Sequence, residues 1–298
     1  MSKVILITGA STGFGRDTAE TLASKGHYLF AAMRDPQTKN REHAQALGKI
    51  GIKVVKLDVS EDASVDKAVA EVLSTAGRID VLINNAGIMA AGATEAFTAD
   101  QAKVVFNTNV VGLLRTTRAV LPAMRKERDG LIINIGSILG RVTFPFFGIY
   151  GASKFAVEAL TDSLRYELSQ LGIDVALVQP SAYPTPMYSS VQMPADTDRV
   201  AAYGSIGEIP GTMFKHFMET FQKPDAPNPH EVAEAIVKLV DQRKGNRPAR
   251  TVVGQPFGAD VVNAQTAPVQ THVVAALGLA HLSQVVSAPG ADQYNRVA

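Results

Sequence analysis

The sequence predicts a doubly wound α/β fold, a parallel sheet of about seven strands with helices on both faces. Short apolar runs recur at residues 4–8, 28–33, 53–57, 81–84, 131–135, 175–179 and 251–253. Most are continuous rather than alternating with polar residues, as strands buried on both faces require. Longer stretches carrying helical signals separate them with short joints, the pattern of right-handed crossovers between parallel neighbours.

The helix signals follow in order. Ser60 stands before Glu61 and Asp62, and Gly77 closes that stretch, giving an N-cap, an acidic first turn and a C-terminal glycine. Thr98 and Gln101 have the spacing of a capping box for a long helix running towards Arg128, with a kink or break expected at Pro122. Asn228 and Pro229 open a later helix as cap and first-turn proline. Residues 181–229, rich in Pro, Met and aromatic residues, and the tail after Gly254 read as irregular. The expectation is one domain over residues 1–298, with a substrate lid near 181–229 and an extension near 255–298.

Composition excludes several function classes. The net charge of +1 is spread without a long basic run, which argues against a nucleic-acid partner. There is no cysteine, so thiolate catalysis, disulfides and cysteine-ligated metals are excluded, and the six scattered histidines give no metal motif. The apolar start at residues 1–10 is too short for a signal-peptide core and reads as a first strand. No run reaches the roughly 18 apolar residues of a membrane span; the apolar stretch 273–280 reads as a short buried or subunit-facing helix. The expected address is the cytoplasm, with no membrane association.

The first strand runs into Thr8-Gly9-Ala10-Ser11-Thr12-Gly13-Phe14-Gly15, and a helix follows. Glycines here permit a tight turn and close approach of a ligand, while the helix start offers free N–H groups and a positive dipole to a pyrophosphate. Farther on, Tyr150 and Lys154 stand four residues apart at the start of a helix, so they share a face. A free tyrosine has a pKa of about 10; a cation alongside stabilises tyrosinate.

The glycine spacing G-x-x-x-G-x-G, with Asn84-Asn85-Ala86-Gly87, Asn109, Ser137 and Tyr150-x-x-x-Lys154, resembles the short-chain dehydrogenase/reductase family in its shorter branch, a Rossmann-type fold. The resemblance is close from Lys3 to about Pro186 and looser to about Gly254. It implies an oxidoreductase interconverting a carbonyl and an alcohol, with Tyr150 as proton donor and acceptor. Lys154 lowers the tyrosine pKa, Ser137 holds the substrate oxygen, and Asn109 holds a water linking Lys154 to solvent. It also implies cofactor contacts from Gly9, Ser11, Thr12, Gly13, Phe14, Gly15, Asp58, Val59, Asn85, Ala86, Gly87, Tyr150, Lys154, Pro180 and Thr185.

An acid ending the second strand favours NAD. Met33 stands there, followed by Arg34, whose guanidinium can grip a 2′-phosphate, so NADP(H) is expected over NAD(H). Asp35-Pro36 reads as a turn; the opposing reading pairs Arg34 with Asp35 at the surface. Where the family usually has Pro-Gly after the sixth strand, this chain has Pro180-Ser181.

Residues 144–147 with Tyr183, Met187, Tyr188, Met193, Met213, Phe214, Phe217 and Met218 suggest a pocket for a bulky apolar carbonyl or alcohol. A homodimer or homotetramer is expected from the resemblance, burying residues such as Phe155, Leu160 and Leu164 unless these face the chain's own sheet. The alternative is a nucleotide-binding sensor without redox turnover. An epimerase or dehydratase fits less well, because that branch has a different glycine spacing and a larger C-terminal domain.

Overall fold

Each of the five residues of the first strand is buried, and that strand pairs on both sides, so the sheet is built outward from it. The computed structural model describes residues 2–286. In chain order the elements are β1 (Val4–Thr8), α1 (Gly13–Ser24), β2 (Tyr28–Met33), α2 (Arg41–Lys49), β3 (Lys53–Lys56) and α3 (Asp62–Ala76). Next come β4 (Val81–Asn84), α4 (Ala99–Phe106), α5 (Gly112–Glu127), β5 (Gly130–Ile135), α6 (Gly148–Ser169) and β6 (Ile173–Pro180). The chain continues through α7 (Thr197–Ala202), α8 (Ser205–Phe221), α9 (His230–Asp241), β7 (Arg250–Val253) and α10 (Ala259–Ala276).

All seven strands are parallel, in the order β3-β2-β1-β4-β5-β6-β7. The doubly wound parallel fold read from the apolar runs is therefore present, with every expected strand in place. Alternate residues of β1 face opposite sides. Ile5 and Ile7 pack with Ala19 and Leu22 of α1, Leu47 of α2 and Ile236 of α9. Val4 and Leu6 pack with Val69 of α3, Val120 of α5 and Leu164 of α6. Each such Val, Leu or Ile side chain contributes roughly 1.5–3 kcal/mol of burial. The direction of winding reverses between β1 and β4, which opens a crevice at the carboxyl ends of the strands.

Several helix details differ from expectation. α3 begins at Asp62, and Ser60 does not cap it; its hydroxyl donates instead to Asp58 Oδ1 at 2.7 Å. Gly77 does end that helix, at φ +77°. The Thr98–Gln101 capping box is formed. The helix it starts passes Pro122 and runs to Glu127, and its α-geometry is interrupted earlier, by a π-turn at Asn107–Val111. Asn228 Oδ1 accepts from His230 N at 3.1 Å, but Pro229 occupies the N-cap and the helix starts at His230, one residue later than predicted.

Two regions read as irregular are helical. Residues 181–229 hold α7 and α8, and the tail after Gly254 holds the 18-residue α10. The stretch 273–280 runs from the last turn of that helix past its end at Ala276, and it is not buried: Val274 is covered, but Leu277 is 67% exposed. Residues 287–298 of the expected extension lie outside the described residues. Leu164 belongs to the core beneath the sheet, whereas Phe155 is exposed. Among the described residues, no helix is long and apolar enough to cross a membrane.

Candidate active site

The glycine-rich turn leaves β1 at Gly9, where φ is +66° and an added Cβ would lie 2.9 Å from Ala86 Cα. At Gly15 a Cβ would come within 2.5 Å of the Gly9 carbonyl oxygen. Turn and helix thus touch backbone to backbone, which only glycine allows. Gly13 is different: φ is +56°, yet nothing lies nearer to its virtual Cβ than Thr185 Cβ at 3.8 Å. Thr12 precedes α1 in an extended conformation without a side-chain cap, so the first N–H groups face this open side. A concave backbone cradle at a helix N-terminus fits a pyrophosphate. Ser11 lies in the same turn, and Phe14 stands edge-on to Tyr183, ring centroids 5.7 Å apart.

The loop after β4 is locked to this turn. Thr8 Oγ1 accepts from the N–H groups of Asn85 and Ala86, both at 3.0 Å, and Asn85 Nδ2 donates to the carbonyls of Thr8 and Gly9 at 2.9 and 3.1 Å. Below it, Asn84 Nδ2 donates to Asn134 Oδ1 at 2.9 Å, Thr116 donates to Asn84 Oδ1 at 2.6 Å, and Asn134 Nδ2 donates to Thr161 at 2.9 Å. This polar ladder joins β4, β5, α5 and α6. Sequence reasoning passed over Thr8, Thr116, Asn134 and Thr161. The available signal was an asparagine near the end of each of two buried apolar strands, which sit opposite one another in register.

Asn109 lies in the π-turn, buried, with its amide fully engaged. Its Oδ1 accepts from Ile88 N at 2.8 Å, and its Nδ2 donates to Ile88 O and to Ser153 Oγ at 2.9 and 3.0 Å. It fastens the loop after Gly87 to the helix of Tyr150 and Lys154. The side chain is thus held by these three protein groups.

Ser137 follows β5, and its oxygen accepts from Leu139 N at 3.1 Å. Tyr150 and Lys154, one turn apart on α6, are buried, and Lys154 Nζ lies 5.6 Å from the Tyr150 ring centroid. Burial pushes the Tyr150 phenol up to about 12, with the neighbouring Ser137 hydroxyl pulling down. Burial also lowers the Lys154 ammonium to about 8, against the pull of Glu158. The expected depression of the tyrosine is therefore reversed in the protein alone, because desolvation of the phenolate outweighs its neighbours.

Ser137, Tyr150 and Lys154 line one cleft with Phe14, Asn85, Gly87, Pro180 and Thr185. Asp58, Val59 and Arg34 lie outside that lining. Asp58 Oδ1 accepts from the N–H and hydroxyl of Ser60, a local turn, and Val59 is pressed against Gly112. Arg34 is exposed and forms no ion pair with Asp35 among the described residues; Asp35 sits at φ +47° in a turn, as expected. Phe144, Phe147, Tyr183, Met187, Tyr188 and Phe217 line the cleft as predicted. Met193 and Met218 face solvent instead, and Phe257 joins the wall from the segment before α10.

The short chain dehydrogenase family profile matches residues 3–195. The chain belongs to this family. It is 38% identical over 254 residues to a 3-ketodihydrosphingosine reductase of Bacteroides thetaiotaomicron, covering 85% of this chain and 88% of that one. With human retinol dehydrogenase 8 it shares 32% identity over 81% of this chain and 79% of the relative. Among solved structures, a short-chain dehydrogenase from Streptomyces avermitilis superposes with a TM-score of 0.75 at 28% identity, covering 93% and 97% of the two chains. Another, from Burkholderia phymatum in complex with NAD, gives 0.73 at 26% identity, covering 90% and 95%. An actinorhodin polyketide ketoreductase with NADPH gives 0.71 at 29%, covering 87% and 97%. This short-chain dehydrogenase is an NAD(P)-dependent oxidoreductase, and its cofactor is a nicotinamide dinucleotide.

Proposed function

We propose that the chain interconverts a ketone or aldehyde and an alcohol on a bulky apolar substrate, prefers NADP(H), and uses Tyr150 as general acid and base. The observation that carries this reading is the burial of Ser137, Tyr150 and Lys154 together, in one apolar cleft adjoining the glycine cradle. When bound, the reduced nicotinamide supplies hydride to the carbonyl carbon.

The residues divide the remaining work. Ser137 and Tyr150 hold the substrate oxygen, and Tyr150 gives it a proton; a phenol held at about 12 is fully protonated at neutral pH and ready to donate. Lys154 is anchored by Ile135 O at 2.9 Å and supplies a cation beside the phenol. Asn109 keeps the Ile88 loop and the Ser153 turn in register around them. Gly9, Ser11, Thr12, Gly13, Phe14, Gly15 and Asn85 to Gly87 cradle the dinucleotide, Asp58 and Val59 flank its adenine, and Pro180 and Thr185 border its nicotinamide.

Arg34 supports the choice of NADP(H). It is exposed at the end of β2 with no acidic partner among the described residues, and the residue before it is Met33. The relatives' names, one a reductase of a keto compound and the other a dehydrogenase of an alcohol, describe the two directions of the proposed interconversion. The exposed apolar residues Val104, Val111, Leu114 and Phe155 support a homodimer or homotetramer formed through α4, α5 and α6. Residues 181–229 serve as the substrate lid of one domain.

The test is NADPH consumption by purified protein against a panel of apolar ketones and aldehydes, with NADH and Tyr150→Phe in parallel. Turnover that is faster with NADPH and lost in the variant is expected. Tight NADPH binding without turnover of any substrate would overturn the reading in favour of a sensor.

A further inference from the structure

The short turn Ile138–Gly140, which follows Ser137, lies directly against α6. An added Cβ at Gly140 would stand 2.9 Å from Lys154 O and 2.9 Å from Glu158 Cγ, and one at Gly151 would stand 3.6 Å from Leu139 O. Ser137 moves with its turn, because its Oγ accepts from Leu139 N at 3.1 Å and its carbonyl from Gly140 N at 3.0 Å. The turn carries Ser137 and the helix carries Tyr150, so this seam sets how far apart the two hydroxyls stand.

A closed ring of side chains fastens the seam. Arg141, the residue after the turn, places Nε 3.5 Å from Glu158 Oε2. Its Nε donates to Asn263 Oδ1 of α10 at 2.8 Å, and its Nη2 donates to Thr266 Oγ1 at 3.2 Å. Asn263 Nδ2 donates to Gln179 Oε1 of β6 at 2.7 Å, and Gln179 Nε2 donates to Glu158 Oε1, which completes the ring. Arg250 of β7 donates from Nε to Glu158 Oε2 at 2.7 Å and from Nη2 to Asp162. Glu158 and Gln179 are buried, and Arg141, Glu158, Gln179 and Asn263 all lie outside the cleft lining. A buried ion pair is a weak source of net stability, because desolvation offsets most of the attraction. The ring is better accounted for by the geometry it imposes on the two elements it joins.

We infer that Arg141 and Glu158 are positioning residues whose ion pair presses the Ser137 turn onto α6, setting the spacing of Ser137 and Tyr150 around the substrate oxygen, with Asn263 of α10 as a brace. This rests on the reductase reading above and extends it to residues that touch neither substrate nor cofactor. Two hydroxyls that grip one oxygen are sensitive to their separation, and a displacement of about 1 Å can cost up to about a hundredfold in rate. The inference also gives α10 a part in turnover, although most of that helix is exposed.

Arg141→Met is the informative change, because Glu158 keeps Arg250 and Gln179 and no buried carboxylate is stranded. Asn263→Leu removes the brace without altering a charge. Each is made alone and with Ser137→Ala in the full-length protein. Reduction of acetophenone, 2-dodecanone and benzaldehyde by NADPH is followed, with melting curves and NADPH titrations alongside. In Arg141→Met kcat should fall about tenfold, while KM for the carbonyl compound and the affinity for NADPH change less than about threefold. Asn263→Leu should give a smaller fall in kcat. With Ser137→Ala already present, either change should cost less than about twofold more, since the hydroxyl it positions is gone. Unchanged kcat in both variants, a loss confined to KM or NADPH affinity, or the same loss with and without the serine hydroxyl would each overturn the assignment and leave the reductase reading standing. If Arg141→Met does not fold, Asn263→Leu decides by the same comparison. Absence of wild-type turnover of all three compounds, with NADPH bound, would sink both.

Discussion

Lys154 donates from Nζ to the carbonyl oxygen of Ile135 at 2.9 Å, so the last residue of β5 fixes the ammonium that accompanies Tyr150 on α6. Strand and helix are thereby joined at the point where the chemistry is proposed. Both ionisable groups are buried there, and both are shifted towards their neutral forms.

The direction of turnover should depend on pH. Alcohol oxidation needs the tyrosinate, which burial disfavours with a pKa of about 12, so its kcat/KM should rise by up to about tenfold per pH unit from 7 to 9. Carbonyl reduction uses the protonated phenol and should stay flat up to pH 8. Above that it should decline as Lys154 loses its proton. Initial rates in both directions across this range provide the check; oxidation that is flat with pH would contradict it.

Lys154 also bears on stability. Its folded pKa, about 8, lies below the ordinary 10.5, so the unfolded chain binds the proton more tightly. Its contribution is therefore unfavourable below pH 8 and fades as pH rises from 8 to 10.5, by on the order of 3 kcal/mol in total. Lys154→Met should lose turnover yet melt a few degrees higher at pH 7, after the lost hydrogen bond offsets about 1 kcal/mol. Thermal melts of both proteins at pH 7 and pH 10 should show the gap closing at the higher value.

Gly13 and Gly15 should respond differently to alanine. At Gly15 the new methyl meets the Gly9 carbonyl at 2.5 Å, and overpacking of this kind costs roughly 1–3 kcal/mol. At Gly13 there is room, and only the positive φ opposes the change, at roughly 1–2 kcal/mol. The Gly13 methyl would instead stand in the cradle. Gly13→Ala should fold with a modest loss of melting temperature but bind NADPH at least about tenfold more weakly. Gly15→Ala should lose more stability as well as binding. Melting curves and fluorescence titration separate the two effects.

Arg34→Ala should raise the KM for NADPH about tenfold or more and leave that for NADH nearly unchanged, since a guanidinium gripping a 2′-phosphate serves only one of them. Arg34→Asp should go further and reverse the preference. Kinetics with both dinucleotides decide this, and equal effects on the two would assign Arg34 no part in the choice.

The seven strands were legible because burial on both faces leaves a continuous apolar run, a pattern that survives without knowledge of the neighbours. The helices at 181–229 and after Gly254 were not, for a physical reason. α8 carries Gly207, Pro210 and Gly211, all weak or breaking positions, and α10 contains Pro268 and shows no buried stripe beyond Ala259 and Val274. Periodicity cannot announce α10, which has no single apolar face. Ser60 misled because it serves Asp58 instead of the helix start. At the site, the shared face of Tyr150 and Lys154 was legible from spacing, and Ser137 only from the family resemblance. The commitment of Asn109 to Ile88 and Ser153 was not, because both partners are distant in sequence.

The strand order has a consequence for biosynthesis. With β1 in place, β2 and β3 add in turn on one side and β4, β5, β6 and β7 on the other. No strand is ever threaded between two that are already joined, so the sheet can grow outward at the pace at which the ribosome releases it. Every incomplete chain past β1 therefore presents an open edge to its surroundings, and on the later side that edge moves outward strand by strand until β7 is laid down.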